Sequence, residues 1–324
     1  MAIVEGWKKL QDVPAFCKLL GIAQGDWRQA VWESAFKYIE RTQVEKSGKK
    51  RHLCYPPRKS VLRRVQNAIK IKVLVRLGLC SEVLGYVTES HNIKVAASIS
   101  GFPFVGSVDV SSFHPSIKTG HVAAALVKHG LSWPWAREIA RIVTFRGRLP
   151  QGAPTSNHIA NIVMDSMMRR AIVPYARQRG VLVRNYGDDI AFAGKTPESV
   201  RECVSRAKSV IVHNGFATNE KSQLCQHRGE RRVFIGCATG REQPDFPRDR
   251  YCELRREVRG LLHRERASTS DAAVVTEKKL RSLRHKIAYV ARLNKRKARN
   301  LRSTFHRLCA AKTAKKLNEV IKVG

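Results

Sequence analysis

At 324 residues and 43% hydrophobic, the chain can bury a sizeable core over two or three closely packed subdomains, which excludes disorder as its default state. No run approaches the roughly 18 apolar residues of a membrane span, and Met1–Leu10 carries Glu5, Lys8 and Lys9 without an apolar leader core, so a cytoplasmic location and no membrane partner are expected. Sixty-one Lys and Arg against 26 Asp and Glu give a formal charge of +35, far above the magnitude of about 2 to 8 that solubility asks for, and a polyanion is the expected partner.

In chain order, residues 1 to 45 read as short helices. Trp7, Leu10, Val13, Phe16 and Leu20 fall at helical spacing, followed by Trp27, Val31, Ala35 and Ile39. The basic stretch Lys46 to Arg51 breaks this pattern. RHLCYPPRKS (51–60) then reads as an extended segment ended by Pro56 and Pro57. Ser60 is placed to cap a helix with Leu62, Val65, Ile69 and Val73 on one face. Val105–Val110, Val181–Val183 and Ile190–Phe192 read as strands, the last two flanking a turn at Tyr186-Gly187-Asp188-Asp189. Helices are expected at His121–Lys128, Ala136–Val143, Asn157–Ala171 and Glu198–His213, so a mixed α/β domain should span about 95 to 240.

Beyond Gln243-Pro244 and Phe246-Pro247 the strands stop. Leu280, Leu283, Ile287, Val290 and Leu293 form one helical stripe, and Leu301, Phe305 and Leu308 another. From Lys278 to Gly324 there are 16 Lys or Arg and one acidic residue, Glu319, which describes a basic helical module. The eight cysteines (17, 54, 80, 203, 225, 237, 252 and 309) include no CxxC pair, so neither disulfides nor a zinc site is expected. The N-terminus offers no basic amphipathic anchor or lipidation signal, and nucleic acid is therefore favoured over a membrane surface as the polyanion.

Against this positive background the clustered acids stand out. Asp109 ends the apolar strand GSVDV (106–110), and Asp188-Asp189 occupy the hairpin turn. Asp is common at turns for its local hydrogen bonding alone. Clustered carboxylates nevertheless repel, and a divalent cation is one way to hold them together. An all-oxygen set suits Mg2+ or Mn2+. Two such ions serve phosphoryl transfer by stabilising both the attacking and the leaving oxygen.

Taken in order, several segments resemble the reverse-transcriptase family, especially its bacterial retron and defence-associated branch. VDVSSFHPSI (108–117) is similar to the first palm motif, LPQGAPTSNHIANIV (149–163) to the Q-G motif and NYGDDIAFAG (185–194) to the Y-x-D-D hairpin. NEKSQLC (219–225) resembles the lysine-bearing motif that follows, and RRVFIGCAT (231–239) the primer grip. RHLCYPPRKSVLRRVQNAI (51–69) is similar to the fingers segment and LRHKIAYVARLNKRKARNL (283–301) to the thumb helices, so the resemblance runs from about 50 to 310.

That resemblance implies a right-hand polymerase: N-terminal helices and fingers over 1–94, a palm with an antiparallel sheet over 95–240, and a basic helical thumb over 241–324. It implies two Mg2+ ions (Mn2+ as substitute) at Asp109, Asp188 and Asp189, with the Val110 carbonyl as an extra ligand. Gln151 and Gly152 would line the nucleotide pocket. Arg51 would reach the triphosphate through its fork of donors, with Arg58 a weaker rival, and Lys221 would protonate the leaving pyrophosphate. Where the family usually has an aromatic gate against the ribose 2′-hydroxyl, this chain has His114, preceded by Phe113.

The implied partners are a noncoding RNA template, a DNA primer extended into cDNA, and dNTPs. Anti-phage defence is the implied role, and self-association or an effector protein is left open. Two signatures associated with recognising a retron's own RNA are altered, to VAASIS (95–100) and VFIG (233–236), which favours a defence-associated, retron-like enzyme. No RNase H or integrase-like segment is visible. Among rivals, an RNA-dependent RNA polymerase would put an aspartate where His114 stands and Ser-Gly where Gln151-Gly152 stands. A non-catalytic RNA-binding scaffold with the same fold would be expected to have lost an aspartate. A template-independent DNA polymerase would share the metal chemistry.

Overall fold

The structure is a computed structural model, and it describes residues 12–44, 48, 50–87, 90–219, 226–227, 232–267 and 275–321. In chain order, the elements up to the first palm strand are α1 (Val13–Leu20), α2 (Gln24–Glu33), β1 (Ile39–Val44), β2 (Lys50–Tyr55), α3 (Val61–Lys72), α4 (Asn92–Ile99) and β3 (Phe104–Asp109). Then come α5 (Phe113–Ser116), α6 (Thr119–Lys128), α7 (Trp133–Val143), α8 (Ser156–Met167) and α9 (Val173–Gln178). β4 (Leu182–Tyr186), β5 (Asp189–Gly194), α10 (Pro197–His213), β6 (Gln226–His227), β7 (Val233–Phe234) and β8 (Cys237–Ala238) follow. The chain ends in α11 (Arg248–Arg266), α12 (Glu277–Leu293) and α13 (Lys295–Ile321). No helix among the described residues is long and apolar enough to cross a membrane.

These elements divide into two compact units, one of residues 1–91 with 102–227 and one of 92–101 with 228–324. In the first, an antiparallel sheet of order β4-β5-β3-β6 is backed by helices. β5 lies inside it, and Ile190, Ala191, Phe192 and Ala193 are fully buried. The N-terminal helices dock through aromatic rings: Phe16 stacks on Trp135 of α7 at 4.2 Å and meets Trp27 edge-on at 5.3 Å. Ser60 caps α3, its side chain accepting from the Arg63 N–H. Directly across from that cap, buried Glu33 accepts from the Leu62 N–H at 2.9 Å and from Lys37 Nζ at 2.6 Å.

One expected element differs. Ile39 does not continue the N-terminal helices but opens β1, which pairs antiparallel with β2 from Ile39↔Tyr55 to Val44↔Lys50. Every residue of β1 is exposed. It therefore lacks the buried-exposed alternation that would mark a strand in sequence. The helix stops at Glu33, whose carboxylate is committed to the next helix, and Tyr38 leaves to stack on Phe145 at 4.4 Å.

The second unit has its own core, formed by Leu254, Val258 and Leu262 of α11, Leu280, Leu283, Ile287 and Val290 of α12, and Leu301, Phe305 and Leu308 of α13. Both expected stripes thus face one three-helix core. The short β7–β8 hairpin is held to α4, where Asn92 Nδ2 donates to the Ile235 carbonyl at 3.1 Å.

Candidate active site

The YGDD turn is fixed by its own strands. Tyr186 pairs with Asp189, leaving Gly187 and Asp188 as a two-residue turn. Gly187 has φ +68, a value that a hairpin turn of the primed kind demands at its first central position and that glycine takes without steric cost. Asn185, fully buried, ties the turn from within: its Nδ2 donates to the carbonyls of Gly187 and Asp189, each at 3.0 Å. Its backbone meets a further segment, donating to the Glu82 carbonyl at 2.8 Å and accepting from the Leu84 N–H at 2.9 Å.

β3 brings the third acid alongside. Asp109 is the register partner of Asp189, and one step further the Val110 N–H donates to the Asp188 carbonyl at 3.1 Å. In an antiparallel ladder the hydrogen-bonded and non-hydrogen-bonded pairs alternate. Asp109 and Asp189 therefore form a non-hydrogen-bonded pair, whose Cα atoms typically lie about 4.5 Å apart with side chains on one face. Asn219 fixes Asp109 from the opposite side, Nδ2 donating to Oδ2 at 3.1 Å and its backbone N–H to the Asp109 carbonyl at 2.8 Å.

The electrostatics follow from this crowding. Burial, then the charges of Asp188 and Asp109, push the Asp189 carboxyl up to about 7. A cation at this spot would relieve both the desolvation and the repulsion. No group of three or more His, Cys, Asp or Glu among the described residues forms a ready-made metal cage. Mg2+ does not ask for one: it is usually held by one or two carboxylates together with waters and substrate phosphates. The residues present fit such an ion.

The other expected residues are distributed as follows. His114 pairs through Nε2 with Asn157 Oδ1 of α8 at 3.2 Å. Burial lowers its pKa, while Asn157 and Asp188 pull it back upward, so the imidazole is a neighbour of the acidic turn. Phe113 is 2% exposed and packs edge-on to Phe216 at 5.5 Å, which makes its ring part of the core. The side chain of Val110 is buried too, and its backbone is bridged to Thr218.

Gln151 accepts from the Cys54 N–H at 2.7 Å, and Gly152 (φ +120) faces Tyr55, so the Q-G loop lies on β2, the strand that carries Arg51. Arg51 is exposed opposite Gln43, as is Arg58 beyond the strand's end. Lys221 lies outside the described residues.

Sequence reasoning passed over Asn185, Asn219 and Tyr86. Asn219 and Asn185 lie inside quoted motifs, Asn219 directly before Glu220 and Asn185 three residues before Asp188, which is a faint signal. Tyr86 gave none. Its ring stands over Gly187 and 6.0 Å from that of Tyr186. Burial first, then Asp188 and Tyr186, raise the pKa of its hydroxyl, while Arg51 lowers it. Arg51, Tyr86 and the acidic turn therefore share one neighbourhood.

An acidic hairpin turn joined to an acid-ended strand thus stands in a chain of formal charge +35. No protein-family model matches the chain. It is 23% identical over 279 residues to the Retron Ec86 reverse transcriptase of Escherichia coli, an alignment covering 84% of this chain and 86% of that protein. It is 26% identical over 299 residues to the Retron Mx162 reverse transcriptase of Myxococcus xanthus, covering 81% of this chain and 60% of that longer protein. Both similarities support a bacterial retron-like reverse transcriptase, an RNA-directed DNA polymerase.

Proposed function

We propose that the protein copies an associated noncoding RNA into cDNA, extending a primer 3′-hydroxyl with dNTPs, and that this serves defence against phage. The observation that carries the polymerase reading is the register of Asp109 with Asp189 beside the Val110–Asp188 hydrogen bond, which gathers three acids at one sheet end. In this reading 1–94 are N-terminal helices and fingers, 95–240 the palm and 241–324 the thumb of a right hand, in a cytoplasmic enzyme.

Asp109, Asp188 and Asp189 hold the metal site, with the Val110 carbonyl beside it. Bound there, two Mg2+ ions, or Mn2+ in their place, neutralise charge on the attacking and leaving oxygens. Arg51 grips the triphosphate through its planar fork, and the Gln151-Gly152 loop, seated on the same strand, bounds the nucleotide. His114 stands where a ribose 2′-hydroxyl would project, backed by Phe113 in the core. Lys221 Nζ gives its proton to the leaving pyrophosphate oxygen. Basic side chains of α11, α12 and α13 track the phosphate backbone of the RNA–DNA hybrid.

Purified protein with its bound RNA, Mg2+ and dNTPs should make DNA that disappears on prior RNase treatment and in the Asp188→Asn variant. Sequencing of the co-purified nucleic acid should return one small RNA species and complementary DNA. Undiminished synthesis after RNase treatment would replace this reading with template-independent polymerisation, and the absence of synthesis would leave an RNA-binding scaffold.

A further inference from the structure

The catalytic turn is held by something outside its own hairpin. Residues 82 to 86 lie along β4, with Val83 bridged in parallel to Asn185 and Glu82 and Leu84 hydrogen-bonded to the Asn185 backbone. Arg177 of α9 anchors the start of this strap, meeting Glu82 at 2.7 Å, and buried Asn161 of α8 donates to the Gly85 carbonyl. At Gly85 the strap presses on the turn itself. A Cβ there would stand 2.4 Å from the Gly187 nitrogen, a contact that backbone cannot yield to.

Tyr86 follows with φ +56. For a bulky residue this backbone is strained and persists only where the surroundings enforce it. What the conformation achieves is visible at Gly187. The position a Cβ would occupy there lies 3.5 Å from both Cε2 and Oη of Tyr86, so the phenol covers the open side of the turn. Glycine makes the turn sterically accessible but also leaves it free to rotate, and Asp188 hangs from that pivot. Tyr86 as a whole is still 43% exposed, so its place over the turn is not a matter of burial alone.

We infer that Tyr86 is a positioning residue for the polymerisation reaction, its ring clamping the Gly187 pivot so that Asp188 stays beside Asp109. This rests on the polymerase reading above. Three variants test it, each followed by kcat, dNTP KM, Mg2+ half-saturation and melting temperature. Tyr86→Gly accepts the left-handed backbone without strain and should melt no lower than the parent. Its kcat should nonetheless fall by about 10- to 100-fold, the scale of a misplacement of about 1 Å, with higher Mg2+ needed for half-saturation and dNTP KM little changed. Tyr86→Phe keeps the ring and should restore parental kcat. Gly85→Ala pushes on the same turn from the backbone side and should reproduce the Mg2+ shift even if Tyr86→Gly proves unstable. Parental kcat and Mg2+ dependence in Tyr86→Gly, or in Gly85→Ala where the former does not fold, overturns the inference. So does a Tyr86→Phe variant as impaired as Tyr86→Gly, since the hydroxyl would then be the active part. Asp188→Asn run alongside separates the two levels: its retention of activity removes the polymerase reading, whereas its inactivity beside a fully active Tyr86→Gly removes only the clamp.

Discussion

Asp189 shows most directly what the hairpin costs without a cation. Its carboxyl is raised to about 7 in the folded chain, against about 3.9 for an unfolded aspartate. Between those values the folded state holds a proton that the unfolded state lacks. Metal-free stability should therefore fall as pH rises from about 4 towards 7, then level off. Asp189→Asn should flatten that slope in melting curves recorded with EDTA, and saturating Mg2+ should flatten it in the parent. A parental slope that persists in Asp189→Asn would place the titrating group elsewhere. At Asp109, Asn219→Ala removes a donor from Oδ2 and should lower kcat by about 10-fold, about 1.4 kcal/mol for one hydrogen bond to a charge, with the fold intact by circular dichroism. His114→Ala should raise ribonucleotide incorporation relative to deoxyribonucleotide. An unchanged ratio would end its assignment as the gate.

At the scale of elements, α8 does two jobs. One end carries Asn157 against His114, and further along buried Asp165 accepts from the Cys80 N–H at 2.5 Å, Arg169 Nε at 3.1 Å and His129 Nε2 at 3.2 Å. Burial works against that charge, but His129, the Cys80 N–H and Arg169 outweigh it and hold the carboxyl well below the usual range. The resulting stability is present above about pH 3.9 and is lost as pH falls through the folded-state value. Asp165→Ala strands these donors and should destabilise the unit by about 3 kcal/mol, read as a lower melting temperature.

Elements with one buried face were legible in the sequence. The Ser60 cap, β3, the β4–β5 hairpin and the stripes of α12 and α13 all follow from periodicity and turn chemistry. β1 was not, because it buries nothing and its pairing with β2 is decided across the chain. The 82–86 strap was equally hidden. Its bonds go to the Asn185 backbone, about a hundred residues away, and neither composition nor spacing encodes a partner that distant.

For the whole molecule, the charge pointed to a polyanion and the order of the motifs to the chemistry proposed above. The acids were readable because each sits where a strand ends. Their mutual restraint by Asn185, Asn219 and Tyr86 was not, since it exists only once β3, β4 and β5 are in register. The basic surplus predicts a steep salt response. Affinity for an RNA–DNA hybrid should drop on the order of a thousandfold between about 50 and 200 mM salt, and a flat response would deny the C-terminal helices their backbone-tracking role.

Asp109, Asp188 and Asp189 are proposed to share one site that holds two divalent ions. Mn2+ binding followed by electron paramagnetic resonance, with a primer–template and a dNTP present, addresses it without relying on turnover. The parent should bind two ions per chain, and Asp109→Asn or Asp188→Asn should each weaken that binding by at least one ion. Unchanged Mn2+ occupancy in both variants would contradict the account.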